Sequence, residues 1–207
     1  LFVKSPQPPF NKGGRALLGR GGISHTHMEL RFADGSLLRY RDTRRFGTIS
    51  LSQTNDGQDN PFLQRLGPDY LDLNLTEEIF MQRCRQHPGL NLKNLLLHQG
   101  IAAGLGNIYA CEALYRACLN PKQRVKRTKE ESFVRLLRAV REILEIGIQH
   151  GGTTLRDYLD GLGNRGRMKE FLQVYDRKGL PTLDGRGQVV RIVQGNRSTW
   201  YCPEVQK

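Results

Sequence analysis

A chain of 207 residues can bury a real core and hold one large or two small domains. Its 32 Lys and Arg stand against 20 Asp and Glu, a formal net charge of +12, which favours polyanions: nucleic acid first, an anionic membrane surface second. A helical membrane protein is excluded, since no apolar run approaches the ~20 residues a spanning helix needs, and Pro and Gly break up any signal-peptide core at the start.

Residues 1–22 are Pro/Gly-rich, basic and without periodicity, and are expected to be flexible. From His27 to Tyr40 the pattern reads strand, turn, strand: Met28, Leu30 and Phe32 alternate with His27, Glu29 and Arg31, Asp34-Gly35 turns, and Leu38 and Tyr40 resume. A third strand, Thr48 to Leu51, follows the basic loop Arg41 to Arg45. So few strands cannot bury a sheet face, and they read as the remnant of a larger sheet. His25 and His27, two apart, fall on one face of a strand, with no third ligand in view.

Helices follow Leu66-Gly-Pro68. Thr76-Glu-Glu opens one that must stop before Pro88. Thr128 to Glu131 reads as a capping box for a long helix with Phe133, Leu136, Leu137, Val140, Ile143 and Leu144 on one face, ended by Gly151-Gly152. Thr154 with Asp157 caps a shorter helix, and Gly161 to Arg167 is a basic loop. Near the C-terminus Val189 to Val193 and Ser198 to Cys202 form a hairpin around Gly195-Asn196, which leaves Arg197 at the tip. The four cysteines (Cys84, Cys111, Cys118, Cys202) form no Cys-x-x-Cys pair and read as reduced, mostly buried thiols of a cytoplasmic protein.

The most informative stretch is Leu92 to Leu114. Two helical patterns flank a small-residue hinge, Gly100 to Gly106, and the second opens at Asn107. Gly104 and Gly106 allow positive φ and close approach to another molecule. A helix starting at Asn107 offers free N–H groups and a positive dipole end, which suits a phosphate. Leu-Lys-Asn-Leu-Leu-Leu and Gly-Leu-Gly-Asn-Ile-Tyr-Ala-Cys-Glu-Ala-Leu resemble the helix–two-turn–helix element of the formamidopyrimidine-DNA glycosylases, bifunctional enzymes of base-excision repair.

That resemblance runs from about His25 to the C-terminus. It implies an α+β fold: a flexible segment over 1–22, a remnant of the catalytic β-sandwich over 23–73, the helix–two-turn–helix domain over 74–168 and a zincless-finger β-hairpin over 169–207. It implies DNA-binding roles for His25, Arg44, Phe46, Lys93, Asn107 and Arg197. Arg44 would pair with the orphaned base and Phe46 would wedge the stack where a nucleotide is flipped out. Lys93 and Asn107 would hold phosphates, and Arg197 would contact phosphates beside the lesion and assist elimination. The implied partner is double-stranded DNA with a damaged or abasic site, bound by a monomer; no membrane is involved.

Three departures qualify the resemblance. Gly89 replaces a basic residue of some relatives. The family's two Cys-x-x-Cys zinc pairs read here as Thr182, Gly185, Cys202 and Val205, so no zinc and no other cofactor is expected, the hairpin being held by strand pairing and by Trp200, Val190 and Ile192. The family's catalytic amine is an N-terminal proline followed by Glu, whereas this sequence opens Leu1-Phe-Val-Lys-Ser-Pro6-Gln7. Pro6, Pro8 and Pro9 are internal amides without a basic lone pair. A change of composition near Ile23 marks a junction ahead of which the front of the catalytic domain is expected to be missing. Two readings follow: a repair glycosylase homologue that grips damaged DNA with impaired chemistry, or a non-enzymatic helix–two-turn–helix nucleic-acid-binding protein.

Overall fold

A computed structural model describes residues 24–49, 60–153 and 165–207. The segment over 1–22, the cap at Thr154 and Asp157, most of the loop from Gly161, and Leu51 lie outside the described residues. The described residues fall into two compact units, one within 1–64 and the other within 65–207.

The first unit holds an antiparallel pair, β1 (Thr26–Arg31) and β2 (Leu37–Arg41). Alternation sets β1 apart: Thr26, Met28 and Leu30 are half-buried and their neighbours exposed. The turn forms at Asp34-Gly35, with Gly35 at φ 83° and its N–H donating to the Phe32 carbonyl at 3.0 Å. Three details differ from the sequence expectation. Leu38 lies opposite Leu30 yet stays 55% exposed. His25 sits outside the strand at φ 67°, so it shares no strand face with His27. Thr48 and Ile49 join no strand among the described residues.

In the second unit α1 (Glu77–Arg85) starts where Thr76 Oγ accepts the Ile79 N–H at 3.3 Å and stops before Pro88. Then come α2 (Leu92–Leu96), α3 (Asn107–Arg116) and α4 (Glu130–Gln149). The 3.6-residue spacing on α4 buries Phe133, Leu136, Leu137, Val140 and Ile143 against Phe80, Leu95, Leu96 and Leu114. Thr128 does not cap α4. Its hydroxyl turns back to donate to the Arg124 carbonyl at 3.0 Å, and Lys129 takes the N-cap position without a side-chain bond. A local bond won over the capping box, as short hydroxyl side chains allow. Gly151 and Gly152, at φ 67° and 82°, end the helix.

The chain closes with the antiparallel hairpin β3 (Val190–Gln194) and β4 (Arg197–Tyr201), joined at Gly195-Asn196 with both residues at positive φ. Trp200 is buried, but its partners are Cys111, Tyr115, Val174, Val189 and Cys202. Val190, expected to pack there, faces solvent.

Candidate nucleic-acid interface

Between α2 and α3 the chain makes two tight turns, and half-buried polar groups fix their shape. The Arg83 guanidinium donates to the carbonyls of Ile101 and Gly100 at 2.7 and 2.8 Å. Gln99 accepts from the Gly104 N–H and donates to the Leu105 carbonyl at 3.0 and 3.2 Å. Of the two glycines expected at positive φ, only Gly104 adopts it, at 96°. Gly106 is extended backbone, φ −99° and ψ 177°, and a Cβ there would meet nothing within 4 Å. What glycine leaves at 106 is open space beside the first turn of α3, which carries no side-chain cap and no acidic residue.

Lys93 lies beneath the start of α3. Its side chain is fully buried, and the ammonium donates to Asn107 Oδ1 at 2.5 Å. Asn107 Nδ2 in turn donates to the Ser198 carbonyl at 2.9 Å, which ties the start of α3 to β4 next to Arg197. Burial pushes the Lys93 ammonium below its ordinary value; the Cys111 sulfur pulls the other way, and the Arg197 guanidinium adds to the fall. Burial also pushes the Cys111 thiol up to about 11, so at neutral pH it offers Lys93 no negative charge. Among the described residues no carboxylate pairs with Lys93 or Arg197. Two cations beside an uncapped helix start are an arrangement that suits an anion.

Glu112, further along α3, ties the loop over 173–175 to the helix. Its buried carboxylate accepts the backbone N–H groups of Gln173, Val174 and Tyr175 at 2.8, 3.0 and 2.8 Å. Burial holds this carboxyl above its ordinary value, with the three donors and Arg177 pulling the other way. Tyr175 so held packs on Trp200, ring centroids 4.2 Å apart, and its hydroxyl meets Asn107. The sequence expectation assigned roles to neither Glu112 nor Tyr175. Nothing local marks them, because they meet each other across 63 positions, and Tyr175 meets Trp200 on a later strand.

In the first unit one carboxylate shapes the basic loop. Asp42 accepts the backbone N–H groups of Arg44 and Arg45 at 2.9 Å each and of Gly47 at 2.8 Å, along with the Tyr40 hydroxyl. The Gly47 N–H leads in holding the Asp42 carboxyl below its ordinary value, with burial opposing. Folded around Asp42, the loop presents Phe46 78% exposed with the Arg44 guanidinium 4.9 Å above its ring. Asp42 also escaped the sequence expectation, although an Asp two residues before a turn is a local signal. His25 is exposed, and its carbonyl accepts the Asp42 N–H at 3.0 Å. The predicted residues therefore form two groups: His25, Arg44 and Phe46 around Asp42, and Lys93, Asn107 and Arg197 around the start of α3.

The four positions that the resemblance gives to a zinc ion do not suit one. Thr182 Oγ donates to Asp184 at 2.7 Å, Gly185 has no donor atom, the Cys202 thiol donates to Glu204 at 3.2 Å, and Val205 packs on the Trp200 cluster. Among the described residues no group of three or more metal-ligating side chains gathers. Asp184 instead collects Tyr115, Thr182 and Arg186, which overcome the burial that opposes them and hold its carboxyl down at about 2.

Known proteins share this arrangement. The formamidopyrimidine-DNA glycosylase H2TH domain matches residues 66–158. A formamidopyrimidine-DNA glycosylase of Novosphingobium aromaticivorans is 40% identical over 183 residues, 88% of this chain and 67% of the relative. That of Pelotomaculum thermopropionicum is 39% identical, over 88% of this chain and 66% of the relative. This chain thus spans about two thirds of their length. The crystal structure of MutM (Fpg) from Thermus thermophilus superposes with a TM-score of 0.80 at 35% identity, over 99% of this chain and 71% of that one. Lactococcus lactis Fpg in complex with abasic-site DNA gives 0.79 at 33% identity, over 92% and 69%. On shared sequence and fold together, the chain belongs to the formamidopyrimidine-DNA glycosylase family.

Proposed function

We propose that this chain binds double-stranded DNA at a damaged or abasic site, in base-excision repair, as a monomer in the cytoplasm at the nucleoid. One observation carries the reading: Lys93 is buried beside Arg197 and the uncapped start of α3, with no carboxylate among the described residues to neutralise it. An anion would complete such a site by supplying the missing counter-charge. A backbone phosphate fits, and the solved relative bound to abasic-site DNA supports that choice. His25 would contact the DNA, Arg44 would face the base opposite the lesion, and Arg197 would reach the phosphates beside it and assist any elimination. Excision of an oxidised purine with strand cleavage is proposed for the whole protein.

Titration of a labelled duplex carrying one abasic analogue, against the same duplex unmodified, tests the reading. Preferred binding of the abasic duplex is expected, and equal affinity for both would overturn it. Phe46→Ala is expected to lower the preference for the abasic duplex about ten- to a hundredfold, because the wedge that offsets unstacking is gone. The salt dependence should stay unchanged, since Phe46 meets no phosphate. A loss of affinity equal on both duplexes would remove Phe46 from this role.

The C-terminal hairpin, we propose further, holds its shape without metal through the Asp184 cluster. Trp200, the single tryptophan, reports on it. Its emission is expected to ignore a chelator and to respond to acid. A carboxyl held below its ordinary value contributes stability that is present above pH 3.8 and lost as pH falls through about 2. With the side chain 34% exposed, that contribution is on the order of 1 kcal/mol after solvent screening. Asp184→Asn should flatten this part of the acid transition, and a chelator-induced shift in emission would refute the metal-free hairpin.

A further inference from the structure

A second cationic surface lies beside this site. Residues 120–129 carry Lys122, Arg124, Lys126, Arg127 and Lys129 with no acidic residue among them. Four of these, with Lys207, line an open cleft of about 620 Å³. Their side chains are exposed, and none forms an ion pair among the described residues. The nearest carboxylate in sequence, Glu130, is taken by Arg85 at 2.9 Å.

The backbone holding these cations is fixed. Gln123 accepts the Leu92 N–H at 2.9 Å, and Val125 and Lys126 donate to the carbonyls of Leu90 and Pro88 at 3.0 and 3.2 Å. Val125 is buried as a peg, and Asn120 Oδ1 accepts the Lys122 N–H. Fixing like charges side by side opposes folding unless something shares their field, and the ordering needed to bind is already done.

The surface is also continuous with the phosphate pocket. The Pro121 carbonyl accepts both the Lys93 N–H at 3.4 Å and Gln194 Nε2 on β3 at 3.1 Å. Next to Pro121, the Lys122 ammonium lies 5.3 Å above the Tyr201 ring on β4. The cleft lining is Asn, Gln, Lys and Arg throughout, with no aromatic or aliphatic anchor of the kind a protein partner engages. A polyphosphate backbone needs none.

We infer that the 120–127 loop is an extension of the DNA interface, where Lys122, Arg124, Lys126 and Arg127 hold backbone phosphates beyond those at Lys93 and Arg197. The inference rests on the DNA-binding reading and deepens it, adding affinity and salt dependence without any part in lesion choice.

The test is the slope of log K against log salt on an unmodified duplex of about 30 base pairs, with a predicted loss of about 0.9 per phosphate contact removed. Arg124→Gln and Lys126→Gln should each lower the slope by about that step and weaken binding roughly eightfold at about 0.1 M salt. With all four changed to Gln, the loss should approach the sum of the single steps. The preference for an abasic over an unmodified duplex should not move. Wild-type slopes in both single variants overturn the inference. The single variants, at exposed side chains, decide the matter even if the fourfold variant misfolds. A wild type without abasic preference, whose slope still drops on these substitutions, would sink the lesion-binding reading and leave the loop's role intact.

Discussion

Replacing Lys93 with methionine is expected to raise the folding stability of this chain while weakening its hold on DNA. The ammonium is fully buried, its one hydrogen-bond partner among the described residues is a neutral amide oxygen, and the neighbouring charge, Arg197, has the same sign. Desolvation without a counter-charge is costly, and methionine fills a similar volume without it, so a gain of about 1–3 kcal/mol is expected in denaturant unfolding. Asn107 is only half-buried, so its freed oxygen can turn to water. Binding moves the other way. Loss of one charge-assisted phosphate bond should weaken the complex about ten- to a hundredfold and cut the salt slope by about 0.9. If Lys93→Met both destabilises the fold and binds DNA as the wild type does, the residue is a structural pillar and the anion pocket is an illusion.

The same residue gives a pH signature whose sign is fixed. Its folded value lies below the ordinary 10.5, so in the window between the two the unfolded chain holds more protons. Wild-type stability should therefore rise with pH through that window and level off above 10.5, whereas Lys93→Met stays flatter. Phosphate binding needs the charged form, so DNA affinity should fall over the rising limb of stability. Opposite trends of fold and binding mark a site kept in tension for a ligand.

Much of the scaffold was legible because its causes are local. Thr76 with the acidic pair behind it, the apolar stripe from Phe133 to Ile143, and Gly195-Asn196 each act within a few residues, and the structure realises all three. Thr128 shows the limit of local patterns, since the same hydroxyl had two local partners and the sequence does not rank them. The candidate site came mainly from resemblance, which pointed to Lys93 and Asn107 without saying that Lys93 is buried and pairs with no carboxylate among the described residues. Those facts depend on β4 arriving over α3, a contact spanning 91 positions between Asn107 and Ser198. Glu112 is the extreme case. On α3 alone it reads as one more polar helix residue, and only the folded chain brings three backbone donors onto it.

That makes Glu112 the position where a single change should do most damage. Glu112→Ala removes the only acceptor that the structure shows for the N–H groups of Gln173 and Tyr175, and leaves three donors facing a buried site. Each orphaned group costs about 1–3 kcal/mol where water cannot reach it, and relaxation of the loop toward solvent limits the total to about 3–5 kcal/mol. The loop is expected to lift before α1, α2 and α4 unfold, because those helices share a core that Glu112 does not support. Once it lifts, Tyr175 leaves Trp200 and Asn107, and β4 loses its seat against α3. Trp200 emission should then shift red at denaturant concentrations that leave the helical circular dichroism signal in place. Arg197, no longer held beside Lys93, should add little to DNA affinity, so a further Arg197→Ala change should cost far less in this background than in the wild type. Glu112→Gln keeps one acceptor oxygen for Val174 and Tyr175 but points an amide at the Gln173 N–H, and should fall between wild type and alanine. Coincident loss of the Trp200 and helical signals in Glu112→Ala, with the Arg197 effect undiminished, would show that the hairpin finds its place without this carboxylate.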